Sequence, residues 1–399
     1  MQSVTINGNQ AGQRLDKFLR KYLPEAGTGF LYKMLRKKNI TLNGKKAEGS
    51  ELLTQGDQVS FFFSDETFAK FSGRNAGISA GISAGGIADI SAGRSTGGDI
   101  TSCNLQGFRH ASENASELAE YNRAYRELTG IDVIYEDEHV LILNKPVGIL
   151  TQKAEEKDLS LNEWMIGYLL NSVPDFETQL VGFRPSVCNR LDRNTSGLVL
   201  CGKSLPGLQF LSQCIRERSI RKFYRTICHG QLRDSALVKG YLKKDESRNR
   251  VRVVPVELGQ KGQSIAAKHM GEYIETAYRP ICVGEEYTLL EVELITGKPH
   301  QIRAHLAGLG HPLIGDFKYG DIVVNKKMQQ ALGLKHQMLH AFRVEFPKAE
   351  GMEMNAETAS TAEPSRTAVT VGLSLSGKII TAPCPKQFKQ IQIKLGLSD

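Results

Sequence analysis

Residues 77–93 read Gly-Ile-Ser-Ala-Gly-Ile-Ser-Ala-Gly-Gly-Ile-Ala-Asp-Ile-Ser-Ala-Gly, small residues in an approximate four-residue repeat. Such a run has too few large side chains to close a core, so it reads as a flexible connector. Its isoleucines would support at most a transient strand, and no element is assigned to them. A chain of 399 residues broken in this way is expected to fold as two or more bodies. The boundaries read as a small body over residues 1–68, a connector over 69–128 and a larger body over 129–399. Within the larger body, residues 350–376, rich in Ala, Thr, Ser and Glu, read as a loop insertion.

The small body is basic. Up to Ser64 it carries ten Lys or Arg against five Asp or Glu, a net charge of +5. Leu15, Phe18, Leu19 and Tyr22 recur at helical spacing behind Gln13-Arg14. A second helix, around Phe30 to Lys38, would bury Leu31, Met34 and Leu35 and turn Lys33, Arg36, Lys37 and Lys38 outward. Asn43-Gly44 marks a tight hairpin turn, and Val59, Phe61 and Phe63 alternate as a strand. The lysines could form no more than a solvated face. Clustered on one element, they read better as contacts to the phosphates of a polyanion. The net charge of +8 over the whole chain agrees with a nucleic-acid partner.

In the larger body one block stands out: Cys188-Asn189-Arg190-Leu191-Asp192-Arg193-Asn194-Thr195-Ser196-Gly197, running into the apolar Leu198-Val199-Leu200-Cys201. A lone aspartate before a buried strand is usually a cap or a surface charge. Arg190 and Arg193 on either side favour a charged carboxylate here, and a positioned carboxylate can serve as nucleophile or base. Lys145, at a strand end before Pro146, could contact phosphate or belong to a structural turn. Trp164 reads as core within a helix over Asn162–Leu170. His300, His305 and His311 are poor metal ligands as a set. Five residues apart on a helix, the first two point about 140° from one another. The seven cysteines are odd in number, scattered and without a Cys-x-x-Cys pair, which suits reduced thiols in a cytoplasmic protein. No apolar run approaches the length of a membrane span, and Met-Gln-Ser-Val-Thr has none of the features of a signal peptide.

The block Asn189-Arg190-Leu191-Asp192-Arg193-Asn194-Thr195-Ser196-Gly197-Leu198 resembles the signature of the RluA family of RNA pseudouridine synthases. Two further blocks follow in the family's order, Arg221-Lys222-Phe223-Tyr224 and Thr296-Gly297-Lys298-Pro299-His300-Gln301-Ile302-Arg303. Asn144-Lys145-Pro146 is similar to the opening of its catalytic domain. The resemblance implies an α+β catalytic domain with a bent, mainly antiparallel mixed sheet and a central cleft. It implies Asp192 as the catalytic aspartate, Tyr224 stacked on the target base and Arg303 paired with the aspartate. Arg190 resembles the arginine that fills the gap left by a flipped uridine, and Arg193 and Lys145 are expected to contact RNA. Arg14-Leu15-Asp16-Lys17-Phe18-Leu19 resembles the opening of the alpha-L RNA-binding module, which adds Arg14, Lys17, Lys33, Arg36, Lys37 and Lys38 as RNA contacts. The implied reaction converts uridine to pseudouridine, most readily in large-subunit ribosomal RNA, in a cytoplasmic monomer that needs neither metal nor cofactor. Asn189, Asn194 and Lys298-Pro299 depart from the usual residues. A catalytically silent RNA-binding protein is the alternative; a nucleophile at Ser196 or a cysteine lacks any base-and-orienter pattern.

Overall fold

The computed structural model describes residues 2–8, 10–72, 103–180, 183–245, 250–255, 271–348, 372 and 374–398. The low-complexity run 77–93 and nearly all of 350–376 lie outside them. The chain divides into two compact units, residues 1–123 with 166–184, and residues 124–165 with 185–399.

In the first unit, α1 (Leu15–Tyr22) and α2 (Thr28–Arg36) pack beside a four-stranded antiparallel sheet. Its order is β1 (Gln2–Thr5), β4 (Gln58–Phe61), β2 (Ile40–Leu42), β3 (Lys45–Lys46). The helical spacing read from the sequence delivers its core: Leu15, Phe18 and Leu19 meet Leu31, Leu35, Val59 and Phe61, all buried. Each such side chain contributes about 1.5–3 kcal/mol over an exposed one. Asn43 and Gly44, with φ of 51° and 72°, make the expected turn between β2 and β3, and the strands pair Leu42 with Lys45. Phe63 falls beyond the end of β4.

After α3 (Asp65–Ser72), the described chain resumes in a helix, α4 (Cys103–Glu127), inside the segment expected to be connector. Leu118, Tyr121 and Tyr125 lie on one helical stripe, with Tyr121 buried. Arg184 closes on Glu117 at 2.7 Å and the Asn171 amide donates to Asn122 at 2.8 Å. Polar and small residues around that stripe hid it from a reading based on composition.

The second unit is built on one sheet of eleven strands. The strands are β5 (Asp132–Glu136), β6 (Val140–Lys145), β7 (Ser186–Val187), β8 (Ser196–Gly202), β9 (Arg221–His229), β10 (Ala236–Asp245), β11 (Arg250–Pro255), β12 (Glu272–Val283), β13 (Tyr287–Leu294), β14 (Leu339–Glu345) and β15 (Ile379–Thr381). The path across it is β11-β10-β12-β13-β9-β14-β8-β6-β5, with β15 beside β14 and β7 beside β8. Among these named pairings only β14 with β8 is parallel. There, Gly197 at φ 117° crosses so close to β14 that a Cβ would lie 2.2 Å from the Ala341 carbonyl oxygen. Only glycine permits that crossing. It sets where the turn carrying Asp192 emerges.

In the chain, α5 (Leu161–Ser172) and α6 (Phe176–Leu180) come between β6 and β7, and further helices cover the sheet. Phe210, Leu211 and Cys214 of α7 (Leu205–Glu217) pack on Val140, Leu198 and Leu200. Met328 of α9 (Ile322–Leu332), with Phe388 and Ile391 of α10 (Lys386–Lys394), covers Ile227 and Leu289. Trp164 is buried against Tyr125, as expected of a core residue. Among the described residues, no helix is long and apolar enough to cross a membrane.

Candidate active site

Asp192 sits in a turn just before β8, where Thr195 N–H donates to the Asp192 carbonyl at 3.0 Å. The backbone on both sides of it is clamped to the loop after β6. Leu191 N–H donates to Thr151 Oγ1, whose hydroxyl donates back to the Leu191 carbonyl at 2.8 Å. On the other side, Gly148 N–H donates to the Arg193 carbonyl at 2.8 Å and Arg193 Nε to the Gly148 carbonyl at 3.0 Å. A carboxylate pinned at both flanks has little freedom beyond its own side-chain torsions. Its side chain keeps 28% exposure, open to a substrate.

Its partner comes from α8 (Gln301–Gly308). Arg303 Nη1 donates to Asp192 Oδ2 at 2.6 Å, while Arg303 Nε and Nη2 grip Asp316 at 2.7 and 2.9 Å. Arg303 is buried, and burial opposes its charge, but the two carboxylates raise its pKa overall. Burial also works against the charge of Asp316. The Arg303 guanidinium, helped by the Lys318 and Tyr319 N–H groups, nevertheless holds the Asp316 carboxyl below its ordinary range. Tyr319 lies under the guanidinium, its ring centroid 5.1 Å from Cζ. Breaking one partner from such a buried set costs about 3–5 kcal/mol.

Tyr224, on β9, is buried, and burial with the nearby charge of Asp192 pushes its phenol well above the ordinary value. It therefore stays neutral across the physiological range. The three residues carried over from the sequence motifs thus share one site in the second unit. Arg190 and Arg193 are exposed beside it.

Lys145 requires a correction. It was expected to contact RNA, yet it is wholly buried and its ammonium donates to the carbonyls of Pro146 and Ile149, each at 2.9 Å, and of Arg193 at 3.2 Å. With its donors spent on backbone it cannot reach phosphate; it ties the Asp192 turn to the loop after β6. Burial pulls its pKa down to about 7, against the attraction of Asp192.

In the first unit, Lys17, Lys33, Arg36, Lys37 and Lys38 are exposed, joined by Lys45 and Lys46. Arg14 is exposed too, but its guanidinium closes on Asp16 at 3.1 Å. The three histidines turn to separate partners, His300 to Tyr319, His305 to Thr276 and His311 to the His229 carbonyl. Among the described residues no group of His, Cys, Asp or Glu is arranged to hold a metal. Neither Asp316, which anchors Arg303, nor His300, which lies 3.9 Å from Asp192, stands out as a site residue in the sequence. The only available signal for Asp316 was its place in Gly315-Asp316, a short acidic step after an apolar turn.

An open carboxylate gripped by a buried arginine thus lies near a buried tyrosine. The family model for RNA pseudouridylate synthase matches residues 139–308, a span that contains Asp192, Tyr224 and Arg303. The ribosomal large subunit pseudouridine synthase C of Vibrio parahaemolyticus is 28% identical over 382 residues, 94% of this chain and 96% of that protein. The ribosomal large subunit pseudouridine synthase D of Neisseria meningitidis is 31% identical over 358 residues, 88% of this chain and 76% of that protein. A solved structure of human RNA pseudouridylate synthase domain containing 4 aligns at TM-score 0.45 and 18% identity, over 71% of this chain and 98% of that one. The chain belongs to the RluA family of RNA pseudouridine synthases. It is an isomerase acting on RNA.

Proposed function

We propose that this enzyme isomerises uridines of large-subunit (23S) ribosomal RNA, with Asp192 as the reacting carboxylate. The observation that carries the reading is the 2.6 Å contact between Arg303 Nη1 and the otherwise open Asp192. A uridine must leave its stack before a recessed carboxylate can reach it, at a cost of a few kcal/mol. In this reading the Tyr224 ring lies against the extruded base, and exposed Arg190 occupies the space the base vacates. Arg193 contacts the neighbouring backbone. The glycosidic C1′–N1 bond breaks, the uracil turns, C1′ bonds to C5, and the proton lost from C5 is balanced by one gained at N1. No cofactor enters that balance.

The exposed face of Lys17, Lys33, Arg36, Lys37 and Lys38 supplies phosphate contacts that raise affinity without choosing sequence. The chain acts as a monomer in the cytoplasm, residues 1–68 serving as a tethered RNA-binding body joined to the catalytic one through a connector. The experiment is to map pseudouridines in ribosomal RNA, by chemical modification and primer extension, from cells with and without the gene. Loss of defined large-subunit sites is expected. Sites lost only from transfer RNA would redirect the substrate.

A further inference from the structure

His300 precedes α8 with a left-handed backbone, φ 57° and ψ 14°, an uncommon conformation for a residue with a Cβ. Its imidazole bridges two groups: Nδ1 lies 2.9 Å from the Tyr319 hydroxyl and Nε2 lies 3.9 Å from Asp192 Oδ2. The phenol decides which nitrogen carries the proton. The Tyr319 oxygen already accepts the backbone N–H of Val251 at 3.1 Å, and His300 is its only other hydrogen-bond partner among the described residues. Burial raises the Tyr319 pKa, so its proton is kept and points at His300. Nδ1 is then the acceptor, and in a neutral ring the proton sits on Nε2, facing Asp192. Burial favours that neutral ring. Of the charges facing it, Asp192 and Asp316 favour the imidazolium, while Arg303 and Lys318 oppose it.

Arg303 and His300 both approach the same oxygen of Asp192, Oδ2. We propose that His300 is a positioning residue for the isomerisation: its Nε2–H, fixed by the Val251–Tyr319 relay, joins Arg303 on Oδ2 and turns Oδ1 toward the uridine. The 3.9 Å separation closes to a hydrogen bond in the RNA complex, as donors to a reacting group often do only when substrate is bound. This rests on Asp192 being the reacting carboxylate.

The first test needs no turnover. Histidine-selective ¹⁵N labelling of the full chain, with the His300 signals assigned by their loss in His300→Gln, reads the tautomer directly. A protonated Nε2 and an unprotonated Nδ1 are expected, and Tyr319→Phe should convert this to a mixture. The second test is kinetic. His300→Ala should lower kcat on the order of tenfold while KM for RNA stays within about twofold, and His300→Gln, which restores a donor, should recover part of the loss. A proton on Nδ1 in the wild type, or wild-type kcat in His300→Ala, overturns the proposal alone. Turnover retained by Asp192→Asn overturns the site reading beneath it as well.

Discussion

The two units each contain an aspartate held by arginine, and the two arrangements are near inverses. In the first, Asp16 is the buried member: its side chain is 11% exposed, while its partners Arg14 and Arg20 are 47% and 51% exposed. The Tyr32 hydroxyl donates to it at 3.1 Å. Burial opposes its charge, but Tyr32 and Arg14 outweigh that and lower its pKa. In the second, the arginine is buried and the carboxylate open, with 8% exposure for Arg303 against 28% for Asp192. A carboxylate saturated by donors and covered by its own body fixes a helix start. A carboxylate reached from behind by a donor that cannot move leaves its front to a substrate. The chemistry of the pair is shared, and the direction of burial separates scaffold from site.

The sharpest way to break that comparison is to remove the charge from each aspartate in turn. Asp192→Asn keeps size and shape and should lower turnover by about 10³-fold or more, with RNA affinity within a few-fold. Tritium release from 5-labelled uridine RNA measures the first and filter binding the second. Asp16→Asn should leave turnover at saturating RNA within about twofold and lower the melting temperature instead. Similar losses of turnover in the two variants would remove the distinction.

Asp316 tests whether the buried arginine matters as a fixed donor. Asp316→Asn removes the charge that anchors Arg303, leaving Asp192 as its remaining carboxylate. Turnover should fall on the order of 10- to 100-fold, well short of Asp192→Asn, with KM for RNA little changed. An effect on KM alone would make Asp316 part of the RNA surface and not a support for Arg303.

Lys145 gives a pH signature that belongs to the second unit. Its folded pKa of about 7 lies below the ordinary 10.5, so between those values the unfolded chain holds a proton that the folded chain has released. Stability from this group therefore rises as pH goes from 7 toward 10.5 and is lost as pH falls toward 7, by at most about 1.4 kcal/mol per pH unit. Denaturant unfolding of wild type and Lys145→Met at about pH 7 and pH 9.5 should show the gain in the wild type and less of it in the variant. Equal gains would mean that the ammonium stays charged throughout, held by its three carbonyls.

Sequence alone made much of this visible, and what it missed has a common cause. Asp192, Tyr224 and Arg303 were legible because each lies in a contiguous motif, and the helices of the first unit because their apolar spacing is regular. Lys145 was misread because sequence shows a charge and a strand end but not that the strand end is buried. Asp316 and His300 lie against residues 13 and 108 positions away in the chain, Arg303 and Asp192, and no local pattern records such proximity. The strands β10 to β12 went unassigned because their apolar pattern is sparse: in β10, Lys239 and Lys243 are exposed, and of the alternating neighbours Val238, Gly240 and Leu242 only Leu242 is a large buried apolar residue. Helix α4 was absorbed into a connector judged by composition.

The last prediction concerns the exposed cations of α2, the smallest effect and the one most dependent on conditions. Lys33 and Arg36 project from α2, whose apolar side is committed to its own core, and Lys37 and Lys38 follow its end, so their removal should not disturb folding. Each phosphate they meet releases counterions, which makes their contribution fade as salt rises. Replacing Lys33, Arg36 and Lys37 with Gln should weaken RNA binding at low salt. It should also flatten the plot of log affinity against log salt, by about 0.7–0.9 for each phosphate that is no longer neutralised. At saturating RNA the same uridines should react at nearly the wild-type rate, since the phosphate contacts position the enzyme and the bases are read elsewhere. A shift in which uridines react would show instead that this face selects the target.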